Sequence, residues 1–272
     1  MTMENITNIR HPLDGTLLSF AYLIQSIAYY SVQGAFLFFM MDSFMQYDMS
    51  EAIHFYGMIL LIPYLARVIG GLLGDLLFGN QNTMIAGGLL QAIGAFLMLI
   101  PNEFSFFIGV FLVFSGGGIY RPNLQALFGK AYLGRLKLLD GGFSLLYLSL
   151  NLGMFIGVIV GALIGELYGY KYSFLLSAGM MIIGLIPFFF LKNSPSIEQP
   201  KPLTNKKFKA LKVGTILLII GFFFCLLNLA DSPGFHVREG LKSIEAFGIP
   251  KSYWKHLPTA ATIIVLTLTT VL

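Results

Sequence analysis

Residues 17–41 read LLSFAYLIQSIAYYSVQGAFLFFMM, about 25 positions without a charged side chain. The hydrocarbon core of a bilayer takes about 20 mostly apolar residues of α-helix, so this stretch is expected to cross it once. The apolar region of a cleavable signal has about 7–15 residues, and no clear small-x-small site follows here. The stretch is therefore expected to remain as a first span. Further apolar runs follow at 55–77, 84–100, 104–128, 142–165, 172–191 and 213–229, with an eighth from Pro258. From Pro258 to Leu272 is about 15 residues, or roughly 22 Å of helix. That falls short of a core of about 30 Å, so the sequence is expected to stop inside a helix.

The composition agrees with a polytopic membrane protein. Of 272 residues, 56% are hydrophobic and 11% charged, with a mean hydropathy of +0.78. Soluble domains carry about 25% charged residues, and disordered chains carry few apolar ones. Cys225 is the only cysteine, which excludes an intrachain disulfide scaffold. The net charge of +4 comes from Lys and Arg in short loops, so it marks membrane orientation and not a nucleic-acid partner. One side carries Arg10, Lys130, Arg135, Lys137, Lys192, Lys201, Lys206, Lys207, Lys209 and Lys212. The other carries Lys171, Arg238, Lys242, Lys251 and Lys255. The richer side is expected to be cytoplasmic, which puts the N-terminus inside a cell membrane.

The expected organisation is all-α. It has an N-terminal six-helix bundle over 1–192, a basic cytoplasmic linker over 193–212, and the start of a second bundle over 213–272. The outside segment 231–256 is amphipathic and receives no detailed structure.

Several polar residues stand inside the apolar runs. Gln25, Tyr29 and Gln33 are spaced i, i+4, i+8, with Tyr22, Ser26 and Tyr30 beside them. Lipid offers such a stripe no partners, so it faces a cavity or binds another helix. Arg121, after Gly116–Gly118, is an intramembrane charge costing about 2.5–3.5 kcal/mol or more. Arginine holds its proton permanently, but it can hold a carboxylate in a two-pronged fork. The apolar parts of the first six runs contain no acid to pair with it. Its expected partner is a substrate carboxylate, another anion or an acid further along the chain; the alternative is an arginine capped by carbonyls or snorkelling to the interface. Arg67 lies one turn after Tyr64 and is a second candidate for anion binding, or a structural tie. Tyr147 and Asn151 are again i, i+4, and the Asn amide both donates and accepts, which suits a peptide backbone or an interhelical bond. His54 is expected near the outer face as an interfacial, satisfied histidine, the alternative being a group that titrates near neutral pH. Phe188–Phe190 is expected to be lipid-facing bulk. Metal ligands, a cofactor motif and a catalytic constellation are not recognisable, so no enzyme is expected.

Four segments carry a family resemblance. They are Gly70-Gly71-Leu72-Leu73-Gly74-Asp75-Leu76-Leu77-Phe78-Gly79, then Gly116-Gly117-Gly118-Ile119-Tyr120-Arg121-Pro122-Asn123. After them come Gly142-Phe143-Ser144-Leu145-Leu146-Tyr147 with Asn151-Leu152-Gly153, and Gly169-Tyr170-Lys171-Tyr172-Ser173-Phe174. In this order they resemble the proton-dependent oligopeptide transporter (POT/PTR) family of the major facilitator superfamily. The chain is identified as a C-terminally truncated or divergent member.

The resemblance implies the major facilitator fold, with two six-helix halves rocking about a midplane site. It implies secondary transport of small peptides or related carboxylate-bearing amino-acid compounds, with protons as a candidate coupling partner. It places Tyr29, Tyr30, Tyr64, Arg121 and Asn151 among the peptide-contacting residues. It gives the loop with Gly71, Asp75 and Gly79 a conformational role, in which the glycines allow close helix approach and the acid caps a helix start. The family's first-helix motif Glu-x-x-Glu-Arg-Phe-x-Tyr-Tyr-Gly reads Tyr22, Gln25, Ser26, Ile27, Tyr29, Tyr30 and Ser31 here. Its acids and its arginine are absent, so proton coupling by that route is not expected. In the superfamily this loop latches the two halves on the cytoplasmic side; here Asn80, Gln81 and Asn82 replace the usual basic residues after Asp75, which should weaken that latch. The alternative function is a non-transporting membrane sensor, partner subunit or fragment derived from such a transporter.

Overall fold

The computed structural model describes residues 11–41 and 48–188. Their regular structure is helical: α1 (Leu13–Met41), α2 (Met49–Ile59), α3 (Ile62–Leu73), α4 (Asn80–Leu97), α5 (Glu103–Ala131), α6 (Leu139–Tyr168) and α7 (Tyr170–Leu185). A π-helical turn, Gly74–Phe78, joins α3 to α4, and a 3-10 turn, Leu136–Leu138, leads into α6. The runs expected over 213–229 and from Pro258, the linker 193–212 and the segment 231–256 lie outside the described residues.

Local sequence explains the boundaries. Asn102 starts α5, its side chain accepting from the Phe104 backbone N–H at 2.9 Å. Gly79 (φ 80°) and Gly169 (φ 104°) make the breaks before α4 and α7, at backbone angles that a side chain disfavours. The run expected over 55–77 is interrupted by a turn: α2 stops at Ile59, and α3 begins at Ile62 with Pro63 in its first turn and runs into the π turn. A proline there gives up an N–H that the helix does not use.

The described chain divides into two compact units. One contains α1 and α3–α7; the other contains α2. In the larger unit, α1 packs mainly on α6, and α4 on α5. Small residues set both contacts. On α6, a methyl added at Gly153, Gly157 or Gly161 would lie 2.5–2.7 Å from the α1 carbonyls of Leu23, Ile27 and Ser31. Gly94 and Gly109 bring α4 and α5 equally close, each blocked by the other's carbonyl at 2.6 Å. Close backbone approach of this kind replaces the hydrophobic drive that lipid cannot supply.

Four segments are long and apolar enough to cross a membrane among the described residues: Leu13–Met41, Phe55–Phe78, Glu103–Ala131 and Leu136–Tyr168. On α6, Phe155, Leu163 and other large apolar residues stay exposed, as suits a surface in lipid. Phe188 does not face lipid as expected. It is buried, its ring 6.4 Å from that of Tyr120 at 80°, because α4, α5 and the end of the described chain enclose one core.

Candidate functional site

Three consecutive glycines on α5 face three different helices. An added methyl at Gly116 would lie 2.6 Å from the Gln91 N and Gly87 O of α4. At Gly117 it would lie 2.6 Å from the Tyr29 ring on α1, and at Gly118 2.6 Å from Ala66 on α3. The helices therefore converge where α5 lacks side chains, one turn before Arg121.

Arg121 is 5% exposed, and its guanidinium carbon lies 4.3 Å from the Tyr29 ring centre and 5.0 Å from that of Tyr30. The two rings meet edge to face, 5.2 Å apart at 81°. Nη1 donates to the Tyr30 hydroxyl over a long 3.4 Å. Nε and Nη2 are buried without a hydrogen-bond partner. These two nitrogens form one edge of the guanidinium, with parallel N–H bonds, which is the edge a carboxylate takes in a bidentate pair. Each cation–π contact contributes about 0.5–2 kcal/mol. Two of them offset much of the cost of about 2.5–3.5 kcal/mol for placing the charge in the membrane. They do not satisfy the free edge, since unmatched buried donors cost about 1–3 kcal/mol.

The titratable neighbours of Arg121 are Tyr22, Tyr29 and Tyr30. Tyr22 is buried on the same stripe of α1. Arg67 is exposed and stacks over the exposed Tyr64 ring at 5.1 Å. No acid pairs with either arginine among the described residues.

Beside this centre, Gln25 Nε2 donates to Gln91 Oε1 at 3.0 Å in a fully buried pair. The other atoms of the two amides, Gln25 Oε1 and Gln91 Nε2, have no hydrogen-bond partner, nor has Ser26 Oγ. The stripe on α1 is therefore mostly internal; only Tyr30 and Gln33 are half-buried. Tyr147 and Asn151 are exposed on α6, and Asn151 spends an amide hydrogen on the Tyr147 carbonyl at 2.8 Å. The structure brings together Tyr29, Tyr30 and Arg121, while Arg67 stacks separately on Tyr64. Gln33 lies one turn beyond Tyr29 on α1, and Tyr147 and Asn151 are exposed on α6. The side chain of His54 lies outside the described ones. Gln91 escaped the sequence reading, although an amide inside an apolar run was a visible signal.

A second polar cluster surrounds the π turn. Asn80 Nδ2 donates to Asp75 Oδ1 at 2.8 Å and to Asn123 Oδ1 at 3.1 Å, while Lys130 Nζ donates to Asn80 Oδ1 at 2.6 Å. Asn123 Nδ2 also donates to the Gly70 and Ile119 carbonyls at 2.8 Å. Asp75 binds the first side chain of α4 and does not cap its backbone. Gly71 faces open space; the close approaches are made by Gly70, against Ile119, and Gly74, against Asn123. Gly79 serves as the positive-φ break. Lys130, distant in sequence, supplies a cation where the loop itself has none.

The Major Facilitator Superfamily model matches residues 18–269. The chain is 28% identical over 223 residues to dipeptide and tripeptide permease B of Salmonella typhimurium, covering 80% of this chain and 45% of the permease. It is 29% identical to the permease of the same name from Aliivibrio fischeri, over 84% of this chain and 47% of that one. A crystal structure of a mutant peptide transporter POT with alafosfalin superposes at a TM-score of 0.71 and 25% identity, covering 88% of this chain and 50% of that one. A POT family transporter with 5-aminolevulinic acid has the same fold, at a TM-score of 0.70 and 23% identity over 81% of this chain and 47% of that one. The chain thus spans about half the length of these relatives.

Proposed function

Because the chain belongs to the major facilitator superfamily, we propose that it supplies the N-terminal half of a peptide-transporter-like carrier. The carrier moves small peptides or related carboxylate-bearing amino-acid compounds across a membrane. Arg121 holds the substrate carboxylate, and Tyr29 and Tyr30 support the guanidinium from two sides. Tyr64, Tyr147 and Asn151 lie on surfaces from which a peptide backbone can be oriented, and Gln33 lines the outer part of the stripe. The turn holding Gly71, Asp75 and Gly79 works as a conformational element. Residues 1–192 form the first bundle, 193–212 the cytoplasmic linker and 213–272 the start of the second. The balance of Lys and Arg supports a cytoplasmic N-terminus.

The observation that carries this reading is the free Nε/Nη2 edge of Arg121, buried and without an acid beside it among the described residues. A carboxylate would satisfy both nitrogens and neutralise the charge in one step. The dipeptide and tripeptide permeases among the relatives support the substrate class. The test is binding of a free-acid dipeptide and its C-terminal amide by the wild type and Arg121→Ala. Selective loss of the free acid supports the assignment; equal loss of both ligands overturns it.

A further inference from the structure

Tyr29 carries the Arg121 guanidinium on its ring, so whatever fixes the ring also fixes the fork. The ring is buried and packed from several sides. Phe114 of α5 meets it edge to face at 5.3 Å and 69°, and Tyr30 does so at 5.2 Å and 81°. A further side is the space that Gly117 leaves empty. A methyl added there would lie 2.6 Å from the Tyr29 ring and 3.4 Å from Gln91 Oε1, so ring and carboxamide share that space. Gln91 is itself held in place. Its backbone N would lie 2.6 Å from a methyl at Gly116, and its Oε1 accepts from Gln25 Nε2 at 3.0 Å. Gln25 stands one turn before Tyr29 on α1, and both amides are fully buried. The bond therefore ties α1 to α4 at the level of the ring. Both partners are neutral, so the tie adds no charge that would compete with a ligand for Arg121.

We propose that Gln91 is a positioning residue for the carboxylate fork: bonded to Gln25, it holds the Tyr29 ring against Arg121. This rests on the assignment of Arg121 to a substrate carboxylate. Without the amide bond the ring is free to tilt into the space beside Gly117, and the guanidinium turns with it. A ligand that uses both fork nitrogens then loses its alignment, whereas a ligand with an uncharged end does not.

The test measures binding of alanyl-alanine and alanyl-alanine amide to the full chain in detergent, at fixed pH and salt. Gln91→Met nearly keeps the side-chain volume and removes the bond. It should weaken the free acid by roughly twofold to tenfold, the scale of one neutral hydrogen bond, and leave the amide near its wild-type affinity. Gln25→Met cuts the same bond from α1 and should give the same selective loss. In a Tyr29→Leu background Gln91→Met should add little, because its effect passes through the ring. Equal weakening of both ligands, or failure of both single variants to fold, would overturn the proposal by making the amide pair structural. A fully additive loss in the Tyr29→Leu background would overturn it too, as would undiminished binding of the free acid by Gln91→Met. Undiminished binding of the free acid by Arg121→Ala would instead remove the underlying carboxylate assignment. Binding of neither ligand by the wild type would remove both.

Discussion

The guanidinium carbon of Arg121 lies 4.3 Å above the centre of the Tyr29 ring, and Gly117 makes that distance attainable. The ring fills the space that a side chain at 117 would take, one helical turn before the arginine. Gly117→Ala should therefore displace the ring and loosen the stack, at a cost of about 1–3 kcal/mol for overpacking. Thermal unfolding in detergent checks the stability, and dipeptide titration checks the site. The expected result is a lower Tm together with weaker binding of a free-acid dipeptide. An unchanged Tm and affinity would mean that the glycine is incidental.

Tyr132, just beyond α5, gives a pH dependence of a different kind. Its hydroxyl meets His11 Nδ1 at 2.9 Å, and burial raises its pKa above the ordinary value near 10, partly opposed by Arg135. The folded state therefore keeps the phenol protonated where the unfolded chain begins to lose the proton. The resulting stability is complete below pH 10 and is lost as the pH climbs through the folded-state value. In Tyr132→Phe this alkaline decline should shrink, and the loss of the hydrogen bond should cost about 0.5–1.5 kcal/mol at neutral pH. Unfolding followed at a series of pH values between neutrality and the alkaline limit reads both effects. An identical alkaline profile in the variant would rule out Tyr132 as the source.

Transport should depend weakly on an imposed proton gradient. The centre between α1 and α5 is built from phenols, amides, a hydroxyl and an arginine, and arginine does not release its proton at physiological pH. One coupled proton would give about tenfold accumulation per unit of pH difference. Dipeptide uptake into proteoliposomes should change far less than that when the gradient is collapsed. Strict dependence on the gradient would place a proton carrier elsewhere in the chain.

Much of this was legible before the fold. Lipid excludes unpartnered charge, so Arg121 stood out, and the helical period put Tyr29 and Tyr30 on a stripe at the same depth. The approximate limits of the runs at 17–41, 55–77, 104–128 and 142–165 also followed from bilayer thickness. What could not be read were relations between distant residues. Three glycines in a row look like a flexible stretch; only the fold shows each facing a separate helix. Gln91 finds Gln25 across 66 positions, and Lys130 finds Asn80 across 50. The break at Leu60–Leu61 was hidden, because hydropathy does not register where a helix stops inside an apolar run. Phe188 carried the same apolar signal whether it met lipid or Tyr120.

The free Nε/Nη2 edge of Arg121 is proposed to receive a substrate carboxylate. Calorimetric titration of alanyl-alanine and alanyl-alanine amide against the wild type and Arg121→Ala addresses it directly. The wild type should bind the free acid more tightly than the amide. Arg121→Ala should lose roughly tenfold or more in affinity for the acid, as one bidentate charged contact implies, while its affinity for the amide stays near the wild-type value. Parallel loss of both ligands, or no loss of either, would return Arg121 to a structural role.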